Sequence, residues 1–209
     1  MKNKLLGIMT VAAAIGLTQI ASAIPYPSAT GLLIYDSTGA GTTALVALSG
    51  SGTSSYNAAV GDWTVVLTSG ATINGGASPQ IDLDVTSASA GAGAGTLYIF
   101  FTSGLFGPSV GTWSLTTTEA SGSLSSYAYA SSSLPLVAGN LLGGGADPNT
   151  YGGALNSGGL QYYMAIEDVI TGSVVSSDSN LSVPDGGTTV ILLGAALSGL
   201  GLVRKMRRA

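Results

Sequence analysis

The stretch QIDLDVT, residues 80–86, alternates apolar and polar side chains without interruption. Because successive side chains of a β-strand point to opposite faces, this alternation predicts a strand with one buried face and one solvated face. Half-buried strands of this kind are typical of antiparallel sheets. The stretch therefore predicts an antiparallel β-fold in which Ile81, Leu83 and Val85 contribute to the core.

The neighbouring stretches extend this pattern along the chain. Residues 63–68 (WTVVLT) and 113–116 (WSLT) alternate in the same way. Residues 32–35 and 97–101 are apolar on both faces, which is typical of central strands, and residues 162–170 predict a further long strand. We expect an all-β antiparallel β-sandwich of roughly eight strands, jelly-roll or Ig-like, because two sheets must cover each other's apolar faces.

Glycine-, serine- and asparagine-rich connectors separate these strands, and the body of the chain has no sustained helical period. The most extensive connector is residues 139–159, which we expect to form a long Gly-rich loop. Residues 91–95 (GAGAG) lack the Lys-Ser/Thr sequence and the helix start of a phosphate-binding loop. They are therefore interpreted as a flexible connector.

Charge is distributed very unevenly. Residues 24–182 contain nine carboxylates and no basic residue, a formal charge of −9, and the chain has no cysteine. This charge repels phosphate backbones, so we expect no nucleic-acid partner. Basic residues confined to the two ends are typical of the positive-inside rule in an exported protein. The six basic residues are Lys2, Lys4, Arg204, Lys205, Arg207 and Arg208.

Residues 1–23 contain the three parts of a secretory signal peptide. A basic start precedes an apolar run at residues 5–17, and the small residues Ala21 and Ala23 follow at a cleavage-site spacing. The apolar run is short for a bilayer span, and prolines at positions 25 and 27 disfavour a continuing helix. We expect a cleavable N-terminal signal helix that signal peptidase removes after Ala23. The exported domain is then residues 24–182.

The segment 183–209 also has three parts: a VPDGG motif at 183–187, an apolar run at 188–203 and a basic end at 204–209. The apolar run predicts a C-terminal transmembrane helix. As a helix it rises roughly 24 Å, which is short against a hydrocarbon core of about 30 Å. Snorkelling basic side chains would cover the difference. The short span indicates a temporary anchor.

The order of VPDGG motif, apolar helix and Arg-rich end resembles the C-terminal sorting signals of the PEP-CTERM class, in particular the VPDSG variant, which exosortases process. Position 186 is Gly, where the variant usually has Ser. The alternative is a generic C-terminal anchor preceded by a turn-forming linker. The resemblance implies that recognition and cleavage fall on Val183, Pro184, Asp185, Gly186 and Gly187.

The same resemblance implies a route through the cell. The apolar run would hold the chain in the inner membrane as a single-pass intermediate, and the stop-transfer residues would be Arg204, Lys205, Arg207 and Arg208. An exosortase-type membrane transpeptidase would then cut it in a bacterium with two membranes that makes exopolysaccharide. The body also resembles, more loosely, domains found upstream of such signals, through LLIYD, GDWTVVLTSG, IDLDVTS, GAGAGTLYIFF and YYMAIEDVITG. This second resemblance bears on fold and location and adds no activity.

The body lacks the residues that most enzymes use. Without His, Cys, Lys or Arg it has no common general base, thiol nucleophile, Schiff-base amine or cationic oxyanion clamp. Carboxylate pairs remain, and Asp82 and Asp84 are about 7 Å apart on one strand face. Glu167 and Asp168 point to opposite faces of their strand. We interpret Asp82 and Asp84 as solvated side chains and expect no enzymatic activity.

We expect no cofactor, although weak extracellular calcium binding stays open because only oxygen ligands are available. Asp147 and Asn149 are the candidate ligands, and an ordinary Asp-Pro turn is the simpler interpretation.

Two functions follow from these observations. The first is a non-enzymatic structural protein of the cell surface or exopolysaccharide matrix. The alternative is an extracellular glycan-binding module whose stacking platform is Trp63, Trp113 or the pair Tyr127 and Tyr129. Rings open to solvent would favour binding, and buried rings would favour a scaffold.

Overall fold

The computed structural model describes residues 27, 29–38, 43–47, 53–72, 79–107, 110–119, 122–174, 176–183 and 196–198. The strands within these ranges are β1 (Gly31–Asp36), β2 (Thr43–Ala47), β3 (Thr53–Val60), β4 (Trp63–Thr72), β5 (Gln80–Ala90), β6 (Leu97–Phe106), β7 (Val110–Glu119), β8 (Leu124–Ser131), β9 (Leu141–Ala146), β10 (Asn149–Asn156), β11 (Tyr162–Ile170) and β12 (Ser177–Ser182). A single-turn 3-10 helix, Ala138–Asn140, precedes β9.

The strands form two antiparallel sheets that pack face to face. Sheet A has the order β2-β1-β6-β11-β8-β9, and sheet B has the order β10-β7-β12-β5-β4-β3. The pairs β5–β12 and β7–β10 lie in sheet B, whereas β6–β11 and β8–β9 lie in sheet A. Among the eight strands β5 to β12, the first therefore pairs with the last, the second with the second-last, and so on inward. This order of pairing is the connectivity of a jelly roll. Two hairpins extend the sheets beyond these eight strands. The β1–β2 hairpin adds to sheet A beside β6, and the β3–β4 hairpin adds to sheet B beside β5.

The all-β antiparallel sandwich is therefore confirmed, with twelve strands in the described ranges rather than roughly eight. The predicted alternation also holds, because Ile81, Leu83 and Val85 are fully buried between the sheets. The alternation ends at Thr86, which has no partner on β4. Val85 pairs with Leu67, and the adjacent Val66 pairs with Ser87, so Thr86 is skipped. This β-bulge returns Ala88 to the core.

The predicted Gly-rich loop at 139–159 is wrong. These residues form β9 and β10, which are the edge strands of sheets A and B. Their glycines make room for an indole: a Cβ at Gly143 would lie 3.0 Å from the Trp113 ring, and one at Gly153 would lie 2.9 Å from its Nε1. Composition suggested a loop, but strand pairing and this packing against Trp113 decide the conformation.

Asp36, at the end of β1, is a buried carboxylate that joins three segments. Its Oδ1 accepts hydrogen bonds from Thr38 N at 3.0 Å and Thr38 Oγ1 at 2.9 Å, and its Oδ2 accepts one from Asp62 N at 3.2 Å. Burial raises the pKa of Asp36, but the hydrogen bonds from Thr38, Asp62 and Gly95 outweigh burial and hold it below its ordinary value. Gly61 has φ +57°, and a Cβ there would lie 2.3 Å from Asp36 Oδ2.

The predicted signal helix, residues 1–23, lies outside the described residues, and so does most of the predicted transmembrane helix, residues 188–203. Residues 196–198 of that segment are helical. Within the ranges given above, no helix has the length and apolar character needed to cross a bilayer.

Candidate functional site

The aromatic platform expected from the sequence is mostly buried. Trp63, Trp113 and Tyr129 are only 1%, 4% and 5% exposed, and both tryptophans belong to the core between the sheets. The prediction that these rings form a platform is therefore wrong. Each tryptophan shares the inward face of its strand with buried aliphatic side chains. Among the four predicted rings, Tyr127 alone is half-buried.

A different aromatic surface lies on the outer face of sheet A. Tyr35 on β1 pairs with Tyr98 on β6, and their ring centroids are 6.2 Å apart. In the next row, Glu167 on β11 lies between Phe100 on one neighbouring strand and Tyr127 on the other. We call Tyr35, Tyr98, Tyr127 and Glu167 the tyrosine face. Its three tyrosines are half-buried, whereas Glu167 is buried.

One end of this sheet face is covered by the chain itself. Leu136, in the segment after β8, is fully buried, and its N–H donates to the carbonyl of Pro27 at 3.2 Å. It packs in a second hydrophobic cluster with Leu33, Phe100, Tyr129 and Ala165. The segment 132–137 therefore closes one end of the outer face, and the tyrosine face lies beside this cover.

Glu167 lies at the floor of the tyrosine face, where the Tyr129 hydroxyl donates a hydrogen bond to it. Burial raises the pKa of Glu167 to about 7, against a smaller lowering by this hydrogen bond. Burial also raises the pKa of the Tyr98 and Tyr127 hydroxyls, and the nearby Glu167 charge adds to that rise. The surface thus combines half-exposed rings with a buried carboxyl group, which is suited to stacking and hydrogen bonding rather than to nucleophilic chemistry.

Tyr35, Tyr98 and Glu167 were not predicted as members of a site. A signal for the two tyrosines exists in the sequence. The stretch LLIY places Tyr35, and the stretch LYIF places Tyr98 and Phe100, on the strand face that does not carry the inter-sheet core. The tyrosine face is open because the distant segment 132–137 covers only the other end of the outer face of sheet A. Strand periodicity does not determine where that segment lies.

The acidic pair predicted on β5 lies on the outer face of sheet B. Asp82 and Asp84 are half-buried there, and Asp178 on β12 pairs with Asp84. Burial raises the pKa of Asp82 to about 6, and a hydrogen bond and negative charge from Asp178 add to the rise. The main partner of Asp82 is therefore Asp178 on the neighbouring strand. These carboxylates lie on a sheet surface bordered by hydroxyl side chains such as Thr116.

A separate cavity of about 280 Å³ lies at one end of the sandwich, with neither Asp nor Glu in its lining. Its lining residues are Ala130, Ser131, Ser132, Asn140, Leu155, Asn156, Ser157, Leu160 and Tyr162. In the part of the chain that the structure describes, no group of three or more His, Cys, Asp or Glu side chains comes together as a metal cluster.

The two candidate calcium ligands of the 139–159 segment point in different directions. The Asn149 amide donates to the Ala146 carbonyl at 2.8 Å, within its own turn. The Asp147 carboxyl oxygens are buried, close to the hydroxyls of Ser126 and Thr117. The structure therefore does not bring Asp147 and Asn149 together as a ligand pair.

The sorting motif begins inside the folded body. Val183 is fully buried, and its N–H donates to the Pro79 carbonyl at 2.9 Å. Val183 is therefore both the first residue of the motif and a core residue of the sandwich. The remaining predicted processing residues lie outside the described ranges: Ala21, Ala23, Pro184, Asp185, Gly186, Gly187, Arg204, Lys205, Arg207 and Arg208.

Among solved structures, the chain is similar to the enzymatically active domain of tailspike protein 4 of bacteriophage CBA120, with 14% identity and a TM-score of 0.30, over 58% of this chain and 19% of that one. It is also similar to the K3 cleaved adhesin domain of Lys-gingipain from Porphyromonas gingivalis W83, with 13% identity and a TM-score of 0.28, over 76% of this chain and 94% of that one. The similarity to the K1 cleaved adhesin domain of the same protein has 12% identity and a TM-score of 0.25, over 80% of this chain and 95% of that one. These similarities are too weak to bear on function. No curated protein matches the chain.

Residues 182–207 match the family model described as the VPDSG-CTERM motif. The match begins at the last residue of β12 and includes the VPDGG motif, the apolar run and three of the four C-terminal basic residues. A signal of this kind points to export toward the cell surface and implies an exosortase-type processing partner. The chain therefore carries a VPDSG-CTERM sorting signal of the PEP-CTERM-like class.

Proposed function

We propose that this chain is a non-enzymatic structural protein of the cell surface or the exopolysaccharide matrix. The observation that carries the proposal is the sorting-signal match at residues 182–207, joined directly to a β-sandwich. Signal peptidase removes residues 1–23, the apolar run 188–203 holds the chain in the inner membrane, and an exosortase cuts within the segment 184–187. The body is then released or transferred to the surface.

The chemistry of the body supports a structural role. It has no His, Cys, Lys or Arg between residues 24 and 182, so common catalytic groups are missing from the sequence itself. The outer face of sheet B presents hydroxyls and carboxylates, such as Thr68, Thr116 and Asp84. Such a face remains hydrated, and its hydroxyls would hydrogen-bond to the hydroxyls of a polysaccharide.

The attachment of the tail to the body is also consistent with this role. Val183 follows β12, which is hydrogen-bonded to β5 on one side and to β7 on the other. The cleavage region, residues 184–187, therefore directly follows the buried Val183, which is itself the first residue after the central strand β12. Cleavage beyond Val183 leaves the core side chains of the sandwich in place, so a processed body keeps its fold.

Fractionation of cells that make the protein and an exosortase tests this proposal. A chain truncated after Val183 keeps the buried valine and loses the rest of the signal. We expect the truncated body to appear in the periplasm or medium, whereas the full chain passes through the membrane to the surface. The Gly186→Ser variant, which restores the usual residue of the motif, is the matched control and should fractionate like the full chain. Equal distribution of the truncated and full chains would contradict the proposal.

A second candidate function, glycan binding, is favoured by the tyrosine face. The Tyr35 and Tyr98 rings are half-exposed side by side, and Tyr127 lies across the buried Glu167 from Phe100. Sugar rings stack their C–H faces on such aromatic rings, and the tyrosine hydroxyls and the carboxyl group would bond to sugar hydroxyls. The ligand class is an exopolysaccharide segment of the producing cell.

Binding of purified exopolysaccharide to the full chain, measured with Tyr98→Ala and Tyr98→Phe, tests this second function. Loss of the ring should weaken binding about tenfold, since an aromatic contact is worth roughly 1.4 kcal/mol. The phenylalanine variant keeps the ring and should lose less. Equal affinity of wild type and Tyr98→Ala, with circular dichroism showing both folded, would exclude the tyrosine face as a binding platform.

A further inference from the structure

Oxygen-bearing side chains replace the hydrophobic core at one place between the two sheets. In sheet A, Asp168 on β11 pairs with Ser126 on β8, and in sheet B, Ser179 on β12 pairs with Thr117 on β7. These four residues are at most 2% exposed, as is Ser177 on β12. We call Asp168, Ser126, Ser179, Thr117 and Ser177, together with Asp147 of the β9–β10 turn, the inter-sheet oxygen cluster.

Asp168 receives hydrogen bonds from hydroxyl groups of both sheets. Ser126 Oγ donates to Asp168 Oδ1 at 2.7 Å, and Ser179 Oγ lies 2.9 Å from Oδ1 and 3.1 Å from Oδ2. The two serine Oγ atoms are themselves 3.2 Å apart. These contacts position the carboxylate but supply no opposite charge. The sequence has no Lys, Arg or His between residues 24 and 182 to supply one.

Asp147 brings a second carboxylate to the same place. Its N–H donates to the carbonyl of Leu124, two residues before Ser126, at 3.1 Å, and Asn149, two residues further along, pairs with Thr117. Burial raises the pKa of Asp168, and the charge of Asp147 adds to that rise. Burial also raises the pKa of Asp147, against the hydroxyls of Ser126 and Thr117, which lower it. Ser126 is therefore close to both carboxylates. Both carboxyl oxygens of Asp147 are buried, yet among the described residues neither has a partner with hydrogen-bond geometry.

Two hydroxyl groups of the cluster, Thr117 Oγ1 and Ser177 Oγ, are also buried without a hydrogen-bond partner within the described ranges. A buried polar atom without a partner costs about 1–3 kcal/mol, and a buried charge without a counter-charge costs more. These four oxygens, two of which belong to Asp147, lie in the same cluster as the carboxylate of Asp168. Together they indicate a missing positively charged ligand that accepts lone pairs.

The donor set narrows the identity of that ligand. It contains carboxylates and hydroxyls only, with no nitrogen or sulfur, which disfavours zinc and copper. Ca²⁺ takes six to eight oxygen ligands in a flexible geometry, and two carboxylates neutralise its charge. Mg²⁺ demands a stricter octahedron and keeps several waters, for which a closed space between two sheets is less suited.

We propose that the inter-sheet oxygen cluster binds one Ca²⁺ ion, with the carboxylates of Asp147 and Asp168 as charged ligands and hydroxyl oxygens of Thr117 and Ser126 as neutral ligands. The ion joins strands of both sheets to the β9–β10 turn. An exported domain without cysteine thereby gains a cross-link that depends on the medium. The expected loop ligand Asn149 takes no part.

Thermal unfolding of the full chain in detergent, first stripped with EDTA and then titrated with CaCl₂, tests this site. Free Ca²⁺ at about a hundred times its Kd should raise the Tm by about 5–10 °C, and isothermal titration should give one ion per chain. MgCl₂ at the same concentration should raise the Tm less. An unchanged Tm in wild type on adding CaCl₂ would overturn the proposal.

Three variants locate the site. Asp168→Asn and Asp147→Asn should abolish the Ca²⁺ shift, whereas Asp84→Asn, on the outer face of sheet B, should keep it. In EDTA, Asp168→Asn should melt at or above the wild-type Tm, because it removes an uncompensated buried charge. If Asp168→Asn does not fold, Asp147→Asn on the turn decides the matter. A full shift in Asp147→Asn would overturn the site, and so would loss of the shift in Asp84→Asn.

Discussion

Replacing Asp36 by Asn should destabilise the sandwich, because it removes hydrogen bonds that join the end of β1 to two neighbouring segments. The carboxylate receives three hydrogen bonds within 3.2 Å, two from Thr38 and one from the backbone of Asp62. An amide keeps one acceptor oxygen and turns an NH₂ group toward an N–H that formerly donated. At least one charge-assisted hydrogen bond is then lost, and one donor in a part-buried position is left unpaired. We expect a loss of about 3 kcal/mol in the free energy of unfolding.

The assay is urea unfolding of the full chain followed by tryptophan fluorescence, since both tryptophans are buried in the core. A loss of about 3 kcal/mol corresponds to a fall in Tm of about 6–12 °C for a domain of this size. Asp62→Asn is the matched control. It removes the same charge from an exposed side chain and keeps the backbone N–H that Asp36 binds, so it should change stability by less than about 0.5 kcal/mol.

The effect also has a defined pH dependence. The pKa of Asp36 lies below its ordinary value of 3.8 in the folded state, because its hydrogen bonds outweigh the opposing effect of burial. A depressed pKa gives stability that is fully present above the unfolded value and is lost as pH falls through the folded value. The difference between wild type and Asp36→Asn should therefore shrink below about pH 4. A difference that stays constant with pH, or that matches the Asp62→Asn control, would refute the reasoning.

Three further changes have expected outcomes. Asp82→Asn should remove a loss of stability that wild type shows in Tm measurements as pH rises from about 4 to 6, because burial and its acidic neighbour raise the pKa of Asp82 to about 6 in the folded state only. Gly153→Ala should lose about 1–3 kcal/mol and alter tryptophan fluorescence, because its Cβ would lie 2.9 Å from Trp113 Nε1, whereas Gly139→Ala meets no atom within 4 Å and should be neutral. Val183→Ala should lower the free energy of urea unfolding by about 1–2 kcal/mol, since it empties a buried position; an unchanged value would place the valine outside the core.

The sequence predicted the inward faces of the central strands well, because strand periodicity alone determines which side chains share a face. That periodicity also places Trp63 with Val65 and Leu67 on one face, and all three are buried. The exposure required of Trp63 as a platform residue therefore conflicted with its own strand pattern. Strands β9 and β10 escaped prediction because their glycines pack against Trp113, which is distant in sequence.

The inter-sheet oxygen cluster and the tyrosine face both depend on packing between distant segments. The inter-sheet oxygen cluster depends on the β9–β10 turn, where the Asp147 N–H donates to the Leu124 carbonyl of β8. The tyrosine face is bounded by the cover around Leu136, whose position is set by a hydrogen bond to Pro27. Neither arrangement has a local signature, so single-sequence reasoning finds the residue types and misses their assembly. The sorting signal is the opposite case, because its three parts are contiguous in the sequence.

Mass spectrometry of the mature protein from a producing cell tests the central claim, that residues 183–209 are a processed sorting signal. We expect an N-terminus at Ile24 and a C-terminus within residues 183–187, with loss of the apolar run and the basic end. The Gly186→Ser variant should give the same product, and a strain without its exosortase should accumulate the uncut tail. A mature chain that still ends at Ala209 in a cell with an active exosortase would show that residues 183–209 are not a processed sorting signal.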